Sequence, residues 1–277
     1  MLRKVAVAIL TLACAAPMVG AQTVDEIVAK NIEAHGGAAK IKAIKTIKET
    51  GKIEIGPGME APAVQYQARP NNLRREFTLQ GMTAVQAYDG TQAWAIMPFM
   101  GKKDPDLMPA EDRDEMIDEA DMDGALIDYA QKGNKIESLG KDKLEGTDVY
   151  KLKVTLKDGA VQTYYIDTDS NLEIRIDTER TVRGTAHKST TVIGDYKQID
   201  GIAVPFSMES SDVDHPEQKA KVTMEKIEFN VPVDNKIFPM PPKTAATTKG
   251  ADAAEPKPAT PDQEPPADTP KSETPKQ

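Results

Sequence analysis

Three histidines are the first residues to question, because neutral imidazole is both the commonest protein metal ligand and a frequent general base. They are His35, His187 and His215. His35 sits in Ala34-His35-Gly36-Gly37, but no Gly-x-Ser-x-Gly elbow accompanies it, so it reads as a helix C-terminal residue and not as part of an oxyanion loop. His187 and His215 fall in expected strand and loop, and neither has a second His at ligand spacing. The stretch Glu119–Ala130 resembles a calcium loop at Asp121, Asp123 and Gly124. Its first position is Glu119, however, and its twelfth is Ala130, where a bidentate Glu is required. Asp167-Thr168-Asp169-Ser170-Asn171 reads as a hairpin turn, and Gly56-Pro57-Gly58 lacks the Lys-Ser/Thr ending of a phosphate loop. No catalytic residue, metal or cofactor is therefore assigned, and the chain is not expected to be an enzyme.

Composition narrows the field further. The chain has 277 residues, 39% hydrophobic, 29% charged and 5% aromatic, with a formal net charge of −9. One Cys excludes a disulfide-stapled fold and a multi-thiolate zinc site. An isoelectric point near 5.0 argues against nucleic-acid binding, and a mean hydropathy of −0.49 excludes a multi-span helical membrane protein.

The two ends do not belong to the fold. Residues 1–21 read as a secretory signal: Arg3 and Lys4 precede the apolar run Val5–Ala13, and Val19 and Ala21 suit cleavage before Gln22. The expected location is the periplasm. Thr11-Leu12-Ala13-Cys14 is an imperfect lipobox, so lipid anchoring at Cys14 is the alternative. Residues 243–277 mix Pro, Ala, Thr, Lys, Glu and Asp without an aromatic or branched aliphatic residue, and read as a disordered tail. Residues 22–242 form one domain of ordinary size.

Within that domain the periodicity changes from helical to alternating. Thr23-Val24-Asp25-Glu26 is a capping box, Val24, Ile27, Val28 and Ile32 share a helical face, and Gly36-Gly37 supplies the stop. From Thr46 the period is two: Val64, Tyr66 and Ala68 alternate with polar residues, as do Tyr150, Leu152, Val154 and Leu156. Asp89-Gly90, Asp158-Gly159 and Asp200-Gly201 mark three hairpins. The apolar phase slips between Met224 and Ile227, which predicts a β-bulge near Glu225–Lys226. Pro109–Gln131 breaks the meander as a helix that Gly124 kinks or splits. The fold class is α+β: about ten to twelve strands in one large curled antiparallel sheet, with an N-terminal helix and a helical insertion.

The charge is localised. Eleven acids lie between Asp104 and Asp128 against Arg113 alone, which accounts for nearly all of the chain's excess. The usual reading of such a block is a solvated helix face. Met108, Met116, Ile117, Met122 and Leu126 share the segment and give it an apolar side able to lie over an apolar surface.

Several segments, taken in order, resemble the broad branch of the LolA/LolB-like outer-membrane lipoprotein-sorting proteins. They are the helix ending in Gly36-Gly37, Tyr88-Asp89-Gly90-Thr91-Gln92-Ala93-Trp94, Asp123-Gly124-Ala125-Leu126-Ile127-Asp128-Tyr129, Val149-Tyr150-Lys151-Leu152, Tyr164-Tyr165-Ile166-Asp167 and Gly194-Asp195-Tyr196-Lys197. The resemblance covers most of Val24–Met240. It implies an unclosed antiparallel β-barrel (a half-barrel) whose helical insertion and N-terminal helix form a lid over a hydrophobic cavity, and a periplasmic carrier or binder of lipoprotein acyl chains or lipid. The carriers' lid-holding arginine has no counterpart in a matching motif; Arg69, Arg74 and Arg75 lie in early strand positions. Candidate cavity-lining residues are Val64, Tyr66, Phe77, Leu79, Trp94, Ile96, Met116, Ile117 and Leu126, each of which would serve equally well as core. The expected partners are acyl chains or lipid, with a membrane-associated protein as a further candidate and no nucleic acid. The alternative reading is an envelope sensor or interaction module that uses the same barrel and the acidic segment as a docking surface.

Overall fold

A computed structural model describes residues 22–242, apart from 56, 57, 183 and 218. The expected leader with Cys14 and the expected tail from 243 lie outside the described residues.

The chain opens with α1 (Val24–Ala34) and α2 (Ala38–Ala43). Six strands follow: β1 (Thr46–Ile55), β2 (Glu60–Ala68), β3 (Asn72–Leu79), β4 (Met82–Asp89), β5 (Ala93–Met97) and β6 (Lys102–Leu107). A short 3-10 turn, Pro98–Met100, separates β5 from β6. Then come α3 (Ala110–Ala120) and the single turn α4 (Tyr129–Lys132). Seven more strands complete the domain: β7 (Lys135–Leu144), β8 (Thr147–Thr155), β9 (Val161–Asp167), β10 (Glu173–Val182), β11 (Thr185–Ile199), β12 (Ile202–Asp212) and β13 (Lys219–Phe229).

All thirteen strands form one antiparallel sheet in the order β6-β5-β4-β3-β2-β1-β13-β12-β11-β10-β9-β8-β7. The first and last strands of the meander, β1 and β13, meet in the middle. The two strands that flank the helical insertion, β6 and β7, are the edges, so the sheet does not close on itself. Neither edge invites pairing: β6 carries Pro105 between two Asp residues, and β7 carries Lys135, Lys141 and Lys143 and a bulge between Ser138 and Gly140. The strand β6 is absent from the sequence-based expectation because Lys102–Leu107 has no alternation to read. Its proline is tolerated because an edge strand needs only one set of ladder bonds.

The three Asp-Gly hairpins form as β4–β5, β8–β9 and β11–β12. The bulge in β13 also forms: Thr50 pairs with Lys226 and Gly51 with Met224, which leaves Glu225 without an opposite residue. Gly51 is required there, since a Cβ would lie 2.2 Å from the Thr223 carbonyl oxygen.

Helix α1 begins with the expected capping box, in which Thr23 and Glu26 each accept the other's backbone N–H. Its buried face, Ile27 and Val28, packs on Tyr150, Leu152, Val154, Tyr164 and Ile166. Its C-terminal end is pinned to two turns. A Cβ on Gly36 would lie 2.3 Å from the Gly201 carbonyl oxygen, so only glycine permits this approach. Ala203 N–H donates to the His35 carbonyl at 3.1 Å, and Asn31 Nδ2 donates to the Asn171 carbonyl at 2.9 Å. His35 Nδ1 faces the Ala203 carbonyl at 2.9 Å and Nε2 faces Glu173 at 2.6 Å. Both ring nitrogens meet acceptors, which calls for the doubly protonated imidazolium. Burial opposes that charge, but the Glu173 carboxylate and the Ala203 carbonyl outweigh it and hold His35 above its ordinary value. Burial would likewise raise Glu173, and the His35 bond overrides it to keep the carboxyl low.

Candidate ligand-binding strip on the inner face

Successive strand residues point to opposite faces, so the register assigns a face to every side chain. The helices cover one face, called inner below. Here Met116 and Ala120 of α3 pack on Leu73, Tyr88 and Ala93. The residues that pair with Leu73 across the sheet, namely Gln67 and Ile47 on one side and Tyr88 and Ala93 on the other, form one inner row.

The next inner row is polar. Glu49, Gln65, Arg75 and Gln86 stand opposite one another across β1 to β4. Gln65 Nε2 donates to Glu49 at 2.8 Å, and Arg75 Nε donates to Gln86 Oε1 at 2.6 Å. Arg75 Nη1 also donates to Glu119 of α3 at 2.7 Å. Burial pushes the Glu49 carboxyl up to about 7; the Gln65 amide opposes this and the charge of Glu119 adds to it. Beyond the polar row the inner face is apolar again and is not covered by α3. Ile53, Ala63, Phe77, Leu79, Val222 and Met224 are half-buried there, and Phe77 is flanked by Phe99 with ring centroids 5.4 Å apart.

The helical insertion is held over the sheet by arginines. Arg69 donates to Asp123 at 2.5 and 3.2 Å and to the carbonyls of Ile44 and Ile41 at 2.6 and 3.1 Å. Arg75 holds Glu119, and Arg180 holds both Asp118 and Asp158. Gln67 Nε2 adds a bond to the Glu119 carbonyl at 2.8 Å. Lys132 and Lys42 take Asp121 and Asp128. The acidic block is therefore not simply a solvated face. Five of its carboxylates are counter-charges for cations brought from α2, α4, β3, β10 and the end of β2. Burial, with the charge of Asp158, pushes Asp118 up to about 6 against the pull of Arg180. The insertion is split in two around Gly124, as expected, with the chain leaving helical geometry at Asp121 and re-entering only at Tyr129. The calcium-like residues Asp121 and Asp123 serve in these ion pairs, and no group of three metal-ligating side chains is assembled among the described residues.

The nine expected lining residues do not converge. Phe77 and Leu79 are on the open inner strip. Met116, on α3, is fully buried against the sheet, Leu126 is buried against α1 and β8, and Ile117 is 36% exposed. Val64, Tyr66, Trp94 and Ile96 lie on the outer face. Lys48 sits over the Tyr66 ring. Trp94 and Ile96 form a second core with Val85, Ala87 and Met240. Trp94 Nε1 donates to the Phe238 carbonyl at 2.7 Å, and Arg74, stacked over the indole, donates to the Ile237 carbonyl at 2.8 Å. The chain after β13 thus covers the outer face of β4 and β5. Alternation of Val64 and Tyr66 gives the strand but not which face the helices will cover, and the register inverts the expectation. Sequence reasoning gave no role to Arg69, Arg75, Arg180 or Glu49. Arg75 and Glu49 could have been flagged as charges at inward strand positions.

A polar cleft of about 440 Å³ lies between Ala110, Asp114, Asp158, Gly159, Ala160, Arg180 and Thr181. Its one arginine is already taken by Asp118 and Asp158. No helix among the described residues is long and apolar enough to cross a membrane.

A protein-family model described as "Uncharacterized protein" matches residues 110–240. No curated protein matches the chain. Among solved structures, a LolA superfamily protein from Nitrosomonas europaea is similar at a TM-score of 0.54 and 13% identity, covering 79% of this chain and 98% of that one. A DUF1329 family protein from Desulfovibrio piger matches at 0.53 and 12%, covering 78% and 97%. A domain classed with the outer membrane lipoprotein-sorting proteins, from Vibrio parahaemolyticus, matches at 0.51 and 12%, covering 77% and 94%. With an open antiparallel sheet, a capping N-terminal helix and a helical insertion held over the inner face, the chain has the fold of the LolA superfamily.

Proposed function

We propose that residues 22–242 form a periplasmic carrier or binder of acyl chains, delivered as lipid or as lipoprotein, that works without catalysis. The observation that carries this reading is the half-buried apolar strip of Ile53, Ala63, Phe77, Leu79, Val222 and Met224 on the helix-covered face. Apolar area of this kind binds a chain by its removal from water, at about 25 cal/mol per Å² before ordering costs. The polar row of Glu49, Gln65, Arg75 and Gln86 bounds the strip where α3 begins to cover it. Of the nine residues expected from sequence, Phe77 and Leu79 touch the bound chain directly, while Met116, Ile117 and Leu126 belong to the cover and its seat. The cover is the arginine-held insertion, and the pairs of Arg69, Arg75 and Arg180 with it must break for it to lift. The similarity to the Vibrio parahaemolyticus domain, classed with the lipoprotein-sorting proteins, supports the same class of cargo.

The test is binding of a fluorescent fatty-acyl probe to delipidated protein. Wild type binds the probe, and Phe77→Asp/Leu79→Asp weakens it at least ~tenfold, because the substitution places two charges against the chain. Failure of delipidated wild type to bind any acyl probe, with no lipid copurifying, overturns the reading. Recovery of a stoichiometric protein partner in place of lipid favours the sensor reading instead.

A further inference from the structure

We infer that the hairpin tips after β1, β3 and β5 form a docking rim for a phospholipid bilayer. This rests on the carrier reading for its purpose but not for its evidence. Consecutive antiparallel strands reverse direction, so every second turn leaves the sheet at the same end. The three tips therefore emerge together, beside the open end of the apolar strip. Each presents a methionine: Met59 is 46% exposed, Met82 36% and Met100 70%. Three of the eight large exposed hydrophobic residues among the described residues thus sit on one short edge. The glycines beside them, Gly58, Gly81 and Gly101, face open space.

The form of the rim selects its partner. Alternate turns stand about 10 Å apart, so the row spans about 20 Å. It offers three separate side chains and no concave surface, far short of the ~1,000 Å² that a stable protein interface removes from water. Unbranched, flexible methionines suit a fluid partner that closes around each one. The charges beside the most exposed tip are cationic: Lys102 and Lys103 are exposed and make no ion pair among the described residues. Their stems can lie along the acyl boundary while the ammonium groups meet lipid phosphates. Asp104 and Glu54 offset part of that charge, and Lys52 is taken by Glu60, so the apolar tips carry most of the attraction. A carrier so docked would face its open strip towards the bilayer from which a chain must come or to which it must go.

The test is sedimentation with phosphatidylcholine vesicles containing phosphatidylglycerol, using the protein purified from its envelope in a Cys14→Ser background, which removes lipid anchoring. The starting protein cosediments, and Met59→Ser/Met82→Ser/Met100→Ser lowers the vesicle partition coefficient at least ~tenfold. Lys102→Glu/Lys103→Glu lowers it only where phosphatidylglycerol is present. Unchanged Trp94 emission and urea midpoint in each variant establish that the fold is intact. No vesicle binding by the starting protein, or full binding by the triple-methionine variant, overturns the inference. The acyl-probe assay separates the two claims. Probe binding without vesicle binding sinks the rim and leaves the carrier standing; vesicle binding lost with the methionines, but without probe binding, does the reverse.

Discussion

His35 and Glu173 offer the sharpest test of how the N-terminal helix is secured. Their side chains are 20% and 12% exposed and meet at 2.6 Å. Removing one partner of a buried pair costs about 3–5 kcal/mol, because the other charge stays buried and unpaired. Partial exposure places this pair at the low end, so His35→Phe is expected to lose about 3 kcal/mol at pH 6, or about 1 M in the urea midpoint. Glu173→Gln leaves no stranded charge and can donate an amide hydrogen to a neutral imidazole, so about 1 kcal/mol is expected. The double variant then shows a coupling of about 2 kcal/mol. The pH dependence has a definite sign. His35 is raised in the fold, so its contribution is complete below its unfolded value near 6.5 and is lost as pH rises through the folded value. Glu173 is lowered, so its contribution is present above its unfolded value near 4.5 and is lost as pH falls through the folded one. Their joint contribution is greatest between those two unfolded values. Wild-type stability should fall above pH 6.5 by up to about 1.4 kcal/mol per pH unit more steeply than that of His35→Phe. The assay is urea unfolding at pH 5 to 8, followed by circular dichroism. A coupling below ~0.5 kcal/mol, or the same slope in wild type and His35→Phe, would refute the reasoning.

Three further outcomes follow from the same geometry. Arg69→Met removes four hydrogen bonds that tie Asp123 to the end of α2, so amide exchange across residues 121–128 should accelerate and stability should fall by about 2 kcal/mol; unchanged exchange there would remove Arg69 from the clamp. Glu49 is raised to about 7, so its ionisation costs stability as pH rises from 4.5 through 7, and Glu49→Gln should be more stable than wild type at pH 8 by about 2 kcal/mol in urea unfolding, with the difference vanishing near pH 4. Phe238 is 1% exposed and its carbonyl accepts from the only tryptophan, so Phe238→Ala should cost about 3 kcal/mol and red-shift Trp94 emission; an unshifted spectrum would mean that the C-terminal segment does not cover the outer face.

The local elements were legible because their causes are local. The capping box of α1, the three Asp-Gly turns and the β13 bulge depend on residues within a few positions of one another, and each stands where its pattern puts it. The helical insertion and its splitting around Gly124 were legible, but not that the break begins at Asp121, where Asp121 and Asp123 meet Lys132 and Arg69 from positions distant in the chain. The strand β6 was hidden because an edge strand with a buried proline carries no period.

The candidate site divides along the same line. By itself the sequence determined alternating strands interrupted by a single acidic, Met-containing insertion, and the order of its segments gave a resemblance to the LolA/LolB-like proteins. Which face of the sheet is the inside was decided only in three dimensions. Period-two alternation defines two faces without naming them, and the choice is made by where α1, α3 and the segment after β13 come to rest. That choice sent Trp94, Ile96, Val64 and Tyr66 outward and left Phe77 and Leu79 facing in. The tertiary structure also decided what the acidic block is for. A run of carboxylates looks solvated until Arg69, Arg75 and Arg180, from three separate parts of the chain, are brought within bonding distance of it.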